Sequence, residues 1–316
     1  MHTIKNFFAF IIILFSASIH ANTLIIEPND GREPILQLMQ QAKSIDLILY
    51  GLTDPVFIDA LIHAKKSGKN VNVMLEPLPY KNATQNLDAI QKLKAANINV
   101  LTPNPAFQLL HQKTFIFDHQ KALVMTMNLT KSSFKNQRNF AILIDDPSQV
   151  QEIEKIYKAD ALHQKVTPNH PNLIFSPDNS RSTILNFINH AEKEIKIYAQ
   201  SVSDYQIIGA LAKAAERGVK VEILTEGQNP TQKKWEFLKK SGVKICFKHR
   251  YFIHAKVIVI DKKIVILGST NLTKPSFDKN RELNVFVKDN NIIDPLLKTF
   301  DNDWQCRNGS IWDRSS

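Results

Sequence analysis

The chain carries one segment twice, and this duplication limits the possible folds more than any other feature of the sequence. The segment holds a histidine, a lysine two residues later, an aspartate five residues after the lysine, and a following asparagine. In the second copy these residues are His254, Lys256, Asp261 and Asn271. In the first copy, 143 residues earlier, they are His111, Lys113, Asp118 and Asn128. A constant offset of this kind predicts two similar lobes.

The repeat extends well beyond the motif residues. Downstream, the run Asn128-Leu-Thr-Lys recurs as Asn271-Leu-Thr-Lys, and Arg138 recurs as Arg281. Upstream, the offset is 150, so the first half holds seven extra residues before its histidine. We place these extra residues within 77–86, a proline-containing loop that could line the mouth of a cleft between the halves.

Each half predicts strands that alternate with helices. Residues 45–50 form an apolar run typical of a buried strand, and Asp54 then caps a helix with apolar residues at Phe57, Leu61 and Ala64. The second half repeats this pattern 150 residues later. The alternation predicts an α/β fold in which helices cover a largely parallel sheet.

A pair of strands is expected after each motif histidine. These pairs are 114–117 with 122–125 in the first half, and 257–260 with 264–267 in the second. Polar residues between the members of each pair have turn character.

The chain also predicts a leader and two lobes. Within residues 1–21 an apolar run of 13 residues is shorter than the roughly 20 that a membrane span needs. We therefore predict a secretory signal peptide cleaved after Ala21, with an uncleaved anchor as the alternative, and export to the periplasm or the medium. The N-terminal lobe is expected at 22–163 and the C-terminal lobe at 171–316, joined by a polar linker around Pro168 and Pro171.

Charge and cysteine content narrow the partners and the compartment. The formal net charge of +10 favours anionic partners such as nucleic acid, lipid headgroups or phosphorylated substrates, although it also fits a merely soluble basic surface. Cys246 and Cys306 could pair in an oxidising compartment or remain two separate thiols. The sequence has no glycine-rich phosphate loop, which argues against an enzyme driven by ATP.

The duplicated residues suit chemistry at a phosphodiester held between two imidazoles. A neutral histidine can attack phosphorus, and a protonated one can donate to the leaving oxygen and later activate water. Lysines would neutralise the nonbridging oxygens, and amide and hydroxyl groups would bind them. The predicted phosphate-binding residues are Lys113, Lys256, Asn128, Asn271, Ser269 and Thr126. The clustered histidines and aspartates lack the usual spacing of a zinc site, so no metal is expected.

At these residues the chain resembles the phospholipase D superfamily, whose signature is the His-Lys-Asp motif. The resemblance implies two α/β/α-type lobes related by a pseudo-twofold axis, with one active site at their interface. It also implies metal-independent cleavage through a phosphohistidine, without a cofactor. It points to His111 as nucleophile and His254 as acid. The expected catalytic set is His111, Lys113, Asp118, Asn128, His254, Lys256, Asp261, Asn271 and Glu282. For Asp118 and Asp261, position at a strand–turn boundary also favours an orienting or turn-forming role.

The first copy departs from this pattern at two places. Met125 stands where the second copy has Gly268, and we expect it to narrow the phosphate pocket. Asn139 stands where the second half has Glu282, the position from which relatives supply a carboxylate to a catalytic histidine. A carboxylate there fixes the tautomer and stabilises the imidazolium. We therefore expect the two histidines to be electrostatically unequal, and this inequality to assign their roles.

The leading prediction is a secreted phospholipase D that hydrolyses glycerophospholipid headgroups at a membrane surface. A nuclease of the same superfamily, a phosphatidyltransferase and an inactive binder of phosphorylated ligands are the alternatives. No obligatory protein partner is expected. A lipase should show an apolar rim, for which the candidates are 78–80, 105–107 and 251–252. A nuclease should show a continuous basic groove, although the candidates could equally form a solvated helix face; they are Lys233, Lys234, Lys239, Lys240, Lys248 and Arg250.

Overall fold

The computed structural model describes residues 22–79, 83–226, 231–247 and 250–306. The predicted signal peptide, Tyr80, Lys248 and the last ten residues of the predicted C-terminal lobe lie outside these ranges. The described chain forms two α/β lobes, which confirms the predicted fold class.

The N-terminal lobe is built on one sheet with the strand order β1-β7-β6-β5-β2-β3-β4. Its described strands are β1 (Thr23–Glu27), β2 (Ser44–Leu49), β3 (Asn70–Leu75), β4 (Asn99–Leu101), β5 (Thr114–Phe117), β6 (Lys121–Met125) and β7 (Gln137–Ile144). Its described helices are α1 (Glu33–Gln41), α2 (Pro55–Lys66), α3 (Leu87–Ala95) and α4 (Pro147–Ala161).

The C-terminal lobe repeats this architecture with the strand order β11-β10-β9-β13-β14-β15-β8. Its described strands are β8 (Leu173–Ser176), β9 (Glu194–Ala199), β10 (Lys220–Thr225), β11 (Lys244–Cys246), β12 (Phe252–Ile253), β13 (Lys256–Ile260), β14 (Ile264–Gly268) and β15 (Glu282–Val287). Its described helices are α5 (Ser180–Asn189), α6 (Tyr205–Glu216), α7 (Lys233–Lys240), α8 (Lys274–Asp278) and α9 (Asn290–Asp303). Strand β12 leaves its own lobe and pairs with β7 of the other.

The prediction of a largely parallel sheet was wrong, because both sheets are mixed. Within each lobe's own sheet, the described parallel pairs are those among β2, β3 and β4, and those among their counterparts β9, β10 and β11; β12 also pairs in parallel with β7 across the lobes. Strands β5 and β6 form the predicted pair after the first histidine, but as an antiparallel hairpin. Its turn holds Asp118 and His119 at positive φ, 53° and 57°. A tight turn such as 118–120 joins antiparallel strands, whereas parallel strands need a longer crossover.

The helices that follow the central strands form for the predicted reasons. The side chain of Asp54 accepts a hydrogen bond from the amide of Val56, and Asp204 caps α6 in the same way. Phe57 and Leu61 then lie on the buried face of α2. A capped first turn and an apolar stripe together fix where each helix begins and which side it packs on the sheet.

The two sheets pack face to face around a shared apolar core. Strands β6 and β7 lie against β14 and β15, and α4 and α9 contribute to the same cluster. The core includes Phe140, Ile142, Ile153, Leu267, Val285 and Phe300. A core that draws on both lobes fixes their relative position.

Two buried ion pairs cross between the lobes at corresponding positions. Arg138 of β7 binds Asp303 at the end of α9, with nitrogen–oxygen distances of 2.6 and 2.9 Å. Arg281, just before β15, binds Asp160 of α4 at 2.7 and 2.8 Å. Each arginine thus reaches the last helix of the opposite lobe, as a pseudo-twofold relation between the lobes requires.

Two further features concern the ends of the C-terminal lobe and the joint between lobes. Cys246 and Cys306 form a disulfide that ties the segment after α9 to β11.

Residues 162–172 connect α4 to β8 without a regular helix or strand, and the predicted lobe boundary lies in this segment. None of the helices in the described ranges combines the length and apolarity needed to cross a bilayer.

Candidate active site

The two motif histidines are held by the backbone of the opposite lobe. The amide of His111 donates to the carbonyl of Arg281 at 2.9 Å. The amide of His254 donates to the carbonyl of Arg138 at 3.2 Å. Because each histidine is anchored to a residue of the opposite lobe, both imidazoles lie at the lobe interface. His111 and His254 line the same cleft there.

His111 is oriented by a carboxylate from the other lobe. Its Nδ1 lies 2.7 Å from Oε2 of Glu282, and Glu282 is fully buried. When Nδ1–H donates to this carboxylate, Nε2 keeps its lone pair. The ring also packs edge-on against Tyr50, with the centroids 4.7 Å apart. Together these contacts give the tautomer that a histidine nucleophile requires.

His254 has an amide where His111 has a carboxylate. Its Nδ1 lies 2.9 Å from Oδ1 of Asn139. The same oxygen accepts a hydrogen bond from the hydroxyl of Thr126 at 2.9 Å. An amide oxygen selects the same tautomer as a carboxylate but brings no formal negative charge to an imidazolium. The two histidines are therefore arranged alike, but their partners differ in charge, as expected from the Asn139/Glu282 difference.

Burial and mutual repulsion set the protonation of the pair. Burial lowers the pKa of His111, and Glu282 offsets this only in part. Burial also lowers the pKa of His254 well below its ordinary value, and the charges of Lys256 and Lys113 lower it further. Glu282 keeps a lowered pKa despite its burial, because His111 donates to it and Lys113 lies nearby. Near neutral pH these shifts favour neutral imidazoles beside an ionised Glu282.

The motif lysines lie directly behind the histidines. Nζ of Lys113 donates to the carbonyl of His111 at 2.6 Å and lies 5.2 Å from the centroid of the Tyr50 ring. Nζ of Lys256 donates to Oε1 of Gln200 at 2.8 Å and to the carbonyl of His254. Burial lowers the pKa of Lys113 to about 7 and lowers that of Lys256 well below its ordinary value. A bound anion would favour the charged form of both lysines.

Asn128 and Asn271 line the cleft beside the histidines. Within the described ranges, the side-chain oxygen of each is buried and has no hydrogen-bond partner. Asn128 lies against the backbone of Gly51, where an added Cβ would come within 3.1 Å of its Cγ. Glycine at this position leaves room for the amide to lie at the cleft wall, where its N–H groups can donate to a substrate oxygen.

Two predicted phosphate donors do not reach the cleft. The hydroxyl of Thr126 is buried between Asn139 and the amide of Phe140. Ser269 is equally buried; its hydroxyl accepts from the amide of Leu283 at 3.1 Å and also helps to lower the pKa of Glu282. These hydroxyls therefore support the residues that orient the histidines, and the prediction of direct phosphate contact is corrected.

Met125 does not narrow the pocket as expected. Its side chain is fully buried in the apolar core of the N-terminal lobe and is not part of the cleft wall. Its counterpart Gly268 lies so close to β15 that an added Cβ would fall 2.1 Å from the carbonyl oxygen of Leu283. The close approach of β15 thus requires glycine at 268, whereas the N-terminal lobe accommodates a side chain at 125.

The structure does not bring Asp118 and Asp261 to the site. Each aspartate lies five residues after its motif lysine, and five residues of extended chain span about 16 Å. Asp118 accepts two backbone amide hydrogen bonds, from Lys43 and Ser44, both at 2.7 Å. Asp261 accepts three from 192–194 at 2.7 to 3.0 Å. The prediction that both aspartates are catalytic is therefore corrected. They have the turn-forming role that their positions also favoured.

Two further carboxylates near the motif histidines were not predicted from the sequence. Oε2 of Glu76 accepts a hydrogen bond from the amide of Leu110 at 2.8 Å, and Oε1 of Glu226 accepts one from the amide of Ile253 at 2.6 Å. Each therefore fixes the residue immediately before a motif histidine. Glu76 and Glu226 are related by the offset of 150, so their repetition was the signal that could have revealed them.

The cleft above the histidines has a volume of about 700 Å³. Most of the described residues on its wall are polar. The apolar and aromatic side chains there are Tyr50, Leu109, Val202, Trp235, Phe252 and Pro275; Tyr50 packs against His111, and Val202 and Trp235 are buried. Of the predicted apolar rim, Leu78 and Phe252 are exposed at 44% and 41%.

The predicted basic groove is largely absent from this wall. Among the described residues that line the cleft, Lys234 is the lysine present, and its Nζ donates to the carbonyl of Val202. Lys233, Lys239 and Lys240 are exposed on α7 and do not line the cleft. They form the solvated helix face considered above, while Lys248 lies outside the described ranges.

Comparison with known proteins places this geometry in a family. The curated polyphosphate kinase of Yersinia pestis is 24% identical over 310 residues, which cover 90% of this chain and 44% of the kinase, so the chain spans about half the length of that relative. The phospholipase D of Rickettsia conorii is 36% identical over 127 residues, which cover 39% of this chain and 64% of that enzyme.

Solved structures show the same fold at low identity. The chain matches the polyphosphate kinase of Porphyromonas gingivalis with a TM-score of 0.71 at 17% identity, over 90% of this chain and 50% of that one. It matches the phosphatidylserine synthase of Haemophilus influenzae with a TM-score of 0.69 at 14% identity, over 90% and 86%. The family described as "Cardiolipin synthase, PLD-like domain" matches residues 35–161 and 184–304, one segment in each lobe. With both segments matched and two histidine motifs meeting at the lobe interface, the chain belongs to this family of the phospholipase D superfamily.

Proposed function

We propose that the protein is a phospholipase D-type phosphodiester hydrolase that removes headgroups from glycerophospholipids through a phosphohistidine intermediate. One observation carries this proposal: His111 and His254 enter a single cleft from opposite lobes and are oriented by partners of different charge. Two similarly placed imidazoles with unequal partners suit a reaction that needs one nucleophile and one proton donor.

His111 is the proposed nucleophile. Its Nδ1–H is held by Glu282, and its lowered pKa leaves Nε2 unprotonated near neutral pH. Attack of Nε2 on phosphorus would form the nitrogen–phosphorus bond as the bond to the leaving oxygen breaks. Glu282 stabilises the positive charge that develops on the ring during this step, as the carboxylate of a catalytic triad does.

His254 is the proposed acid and base. It would enter the reaction protonated, donate its Nε2 proton to the leaving oxygen, and then remove a proton from the water that attacks the phosphohistidine. The burial that lowers its pKa in the empty site is opposed when an anionic phosphate binds beside it. Substrate binding thus supplies the charge that a protonated His254 requires.

Lysines and amides would stabilise the transition state. Lys113 and Lys256 place positive charge behind the two rings, and Asn128 and Asn271 stand at the cleft wall. Their amide N–H groups are suited to the nonbridging oxygens, where negative charge accumulates. Charge stabilisation within a buried site is worth more than the same contacts in water.

The cleft wall favours a lipid over a nucleic acid. Lys234 is the one lysine among the described residues that line this wall, and it is already bonded to a backbone carbonyl. The wall also carries apolar side chains, of which Phe252 is exposed, and Leu78 of the predicted apolar rim is exposed as well. A nucleic acid would need cations spaced along its phosphates, whereas one phosphodiester with an acyl-glycerol neighbour needs an apolar approach.

Export remains part of the proposal. It is supported by the apolar run within residues 1–21, and the Cys246–Cys306 disulfide is typical of oxidising compartments. Fractionation of cells that express the full chain, with N-terminal sequencing of the product, tests both export and cleavage after Ala21.

Parallel assays test the activity. The full chain is incubated with phosphatidylcholine vesicles, plasmid DNA or long-chain polyphosphate, each with a chelator present, and with His254→Ala as the matched control. We expect choline release that the control lacks. Activity on DNA alone would reassign the enzyme as a nuclease, consumption of polyphosphate alone would identify a polyphosphate hydrolase, and no turnover would indicate a phosphate-binding protein. Added ethanol separates hydrolysis from transfer, because transfer yields phosphatidylethanol.

A further inference from the structure

Each motif histidine ends a short extended segment that lies along the opposite lobe. In the first half this segment, 108–111, runs parallel to 279–281, and in the second half 252–254 runs parallel to 136–138. Backbone amides of both segments donate to carbonyls of the opposite lobe at 2.8 to 3.2 Å; the donors are Gln108, His111, Phe252 and His254. One edge of each segment is therefore held by the other lobe.

The residue before each histidine directs its amide to the other edge of the segment. Leu110 and Ile253 are the residues that pair directly across the lobes, and in a parallel pair of this register their own amides point away from the partner strand. Both residues are buried, so an unpaired amide there would be costly. Each amide instead donates to a carboxylate of its own lobe, Glu76 at 2.8 Å and Glu226 at 2.6 Å.

The two carboxylates are placed by the sheets. Glu76 comes directly after β3 and Glu226 directly after β10, which belong to the parallel part of each sheet. The backbone of Glu76 is fixed on both sides, because its amide donates to the carbonyl of Leu49 at 3.0 Å and its carbonyl accepts from the side chain of Asn86 at 2.7 Å. Its second carboxylate oxygen accepts from the amide of Leu78 at 3.3 Å. A carboxylate held in this way can fix the amide that it binds.

Packing alone does not account for a carboxyl group at this place. Burial raises the pKa of Glu76, and the amides of Leu110 and Leu78 offset this only in part. An apolar side chain would avoid the cost of burying the carboxyl group. Both lobes nevertheless carry a glutamate here, 150 residues apart, and both glutamates bind the amide before a motif histidine.

We propose that Glu76 and Glu226 are positioning residues, Glu76 for the nucleophile His111 and Glu226 for the acid and base His254. Each carboxylate holds the segment before its histidine from its own lobe, while the opposite lobe holds the other edge. The two contacts together set how far each imidazole enters the cleft. The roles of the two histidines rest on the proposed function, so the two carboxylates should affect different steps of the reaction.

Kinetics with bis(p-nitrophenyl) phosphate separate these steps. One p-nitrophenolate leaves as the bond from His111 to phosphorus forms, and water then releases p-nitrophenyl phosphate with His254 as the base. Methionine removes the acceptor at similar size, and Glu76→Met should slow the first step, seen as a burst, about 10–100-fold. Glu226→Met should leave the rate constant of the burst unchanged, because a good leaving group needs little protonation, and should slow steady-state turnover by a similar factor.

Glu222→Met is the matched control. Glu222 is a buried glutamate of β10 that lies away from the cleft wall, so this variant should change neither rate constant. Partial unfolding lowers the amplitude of the burst rather than its rate constant, so a variant that folds poorly still reports on its active molecules. Equal slowing of both steps by Glu76→Met and by Glu226→Met, or no slowing by either, would overturn the proposal.

Glutamine distinguishes a hydrogen-bond acceptor from a charge. Glu76→Gln and Glu226→Gln each keep one side-chain oxygen for the backbone amide, and each should recover most of the rate that the methionine variant loses. Glutamine variants as slow as the methionine variants would contradict a role that depends on accepting this hydrogen bond.

Hydrogen exchange measured by NMR on the full chain tests the contacts without turnover. The amide of Leu110 should exchange about tenfold faster in Glu76→Met while that of Ile253 keeps its wild-type rate, and Glu226→Met should show the reverse. Faster exchange at both amides in each variant, or no change at either, would count against separate positioning roles. Because no substrate is needed, this result distinguishes a failure of the inference from a failure of the proposed lipase activity.

Discussion

Replacing Glu282 with glutamine isolates the contribution of the carboxylate that orients His111. The side chain is fully buried and its Oε2 lies 2.7 Å from Nδ1 of His111, so the amide retains the size of the group and loses its charge. In a serine protease triad the equivalent change lowers kcat about 10⁴-fold. We expect about 10³–10⁴-fold here, which corresponds to about 4–5.5 kcal/mol of transition-state stabilisation.

The assay follows a chromogenic phosphodiester such as bis(p-nitrophenyl) phosphate, because its good leaving group makes formation of the phosphoenzyme visible as a burst. The burst should disappear in Glu282→Gln. In the wild type, rapid acid-free trapping and peptide mapping should place the phosphoryl group on His111.

Glu222→Gln is the matched control for this variant. Glu222 is also buried and ion-paired, to Lys196 at 2.9 Å, but it lies away from the cleft wall. It should change stability without changing the burst. Full activity of Glu282→Gln, or equal labelling of His111 and His254, would refute the assignment of roles from the unequal partners.

Three further predictions concern stability. Burial lowers the pKa of Lys113 from 10.5 to about 7. The charged lysine therefore lowers the free energy of unfolding by its full amount at pH 7 and below, and this loss of stability disappears as the pH rises toward 10.5. Lys113→Met should therefore stabilise the protein by about 2–4 kcal/mol at pH 7 and by little at pH 10, as measured by urea unfolding; an equal gain at both pH values would contradict this. Cys246 and Cys306 close a loop of 60 residues, so the Cys246→Ser/Cys306→Ser variant should lose about 4 kcal/mol, and reductant should lower the stability of the wild type alone. Arg281→Ala removes the partner of the buried Asp160 and should lower the free energy of unfolding by about 3–5 kcal/mol, measured by denaturant titration. A loss below about 1 kcal/mol would show that Asp160 finds another partner.

Local features of the fold could be read from the sequence. The strand after His111 was placed at its observed bounds because an apolar run ends at a turn whose residues tolerate positive φ. Helix α2 was placed correctly because Asp54 caps its first turn and its apolar residues recur along one face. These signals act within a few residues, so spacing alone reveals them.

Contacts between distant segments could not be read in this way. The sequence showed that Glu282 and Asn139 differ, but not that each orients the histidine of the other lobe. It gave Thr126 and Ser269 as hydroxyl donors, but not that both face the protein interior. Side-chain direction at these positions depends on how the two sheets pack, and no local pattern encodes that packing.

Each motif histidine is anchored by a backbone carbonyl of the opposite lobe, and this arrangement affects how the two histidines can acquire different roles. In a symmetric dimer of single lobes, any substitution would alter both rings at once, so the two could never acquire separate chemistry. A fused chain is free of this constraint, since position 139 can become asparagine while position 282 stays glutamate. The same arrangement means that a separated lobe would leave its own histidine without its anchor. Covalent continuity through residues 162–172 therefore keeps together two halves that have become chemically distinct and mutually dependent.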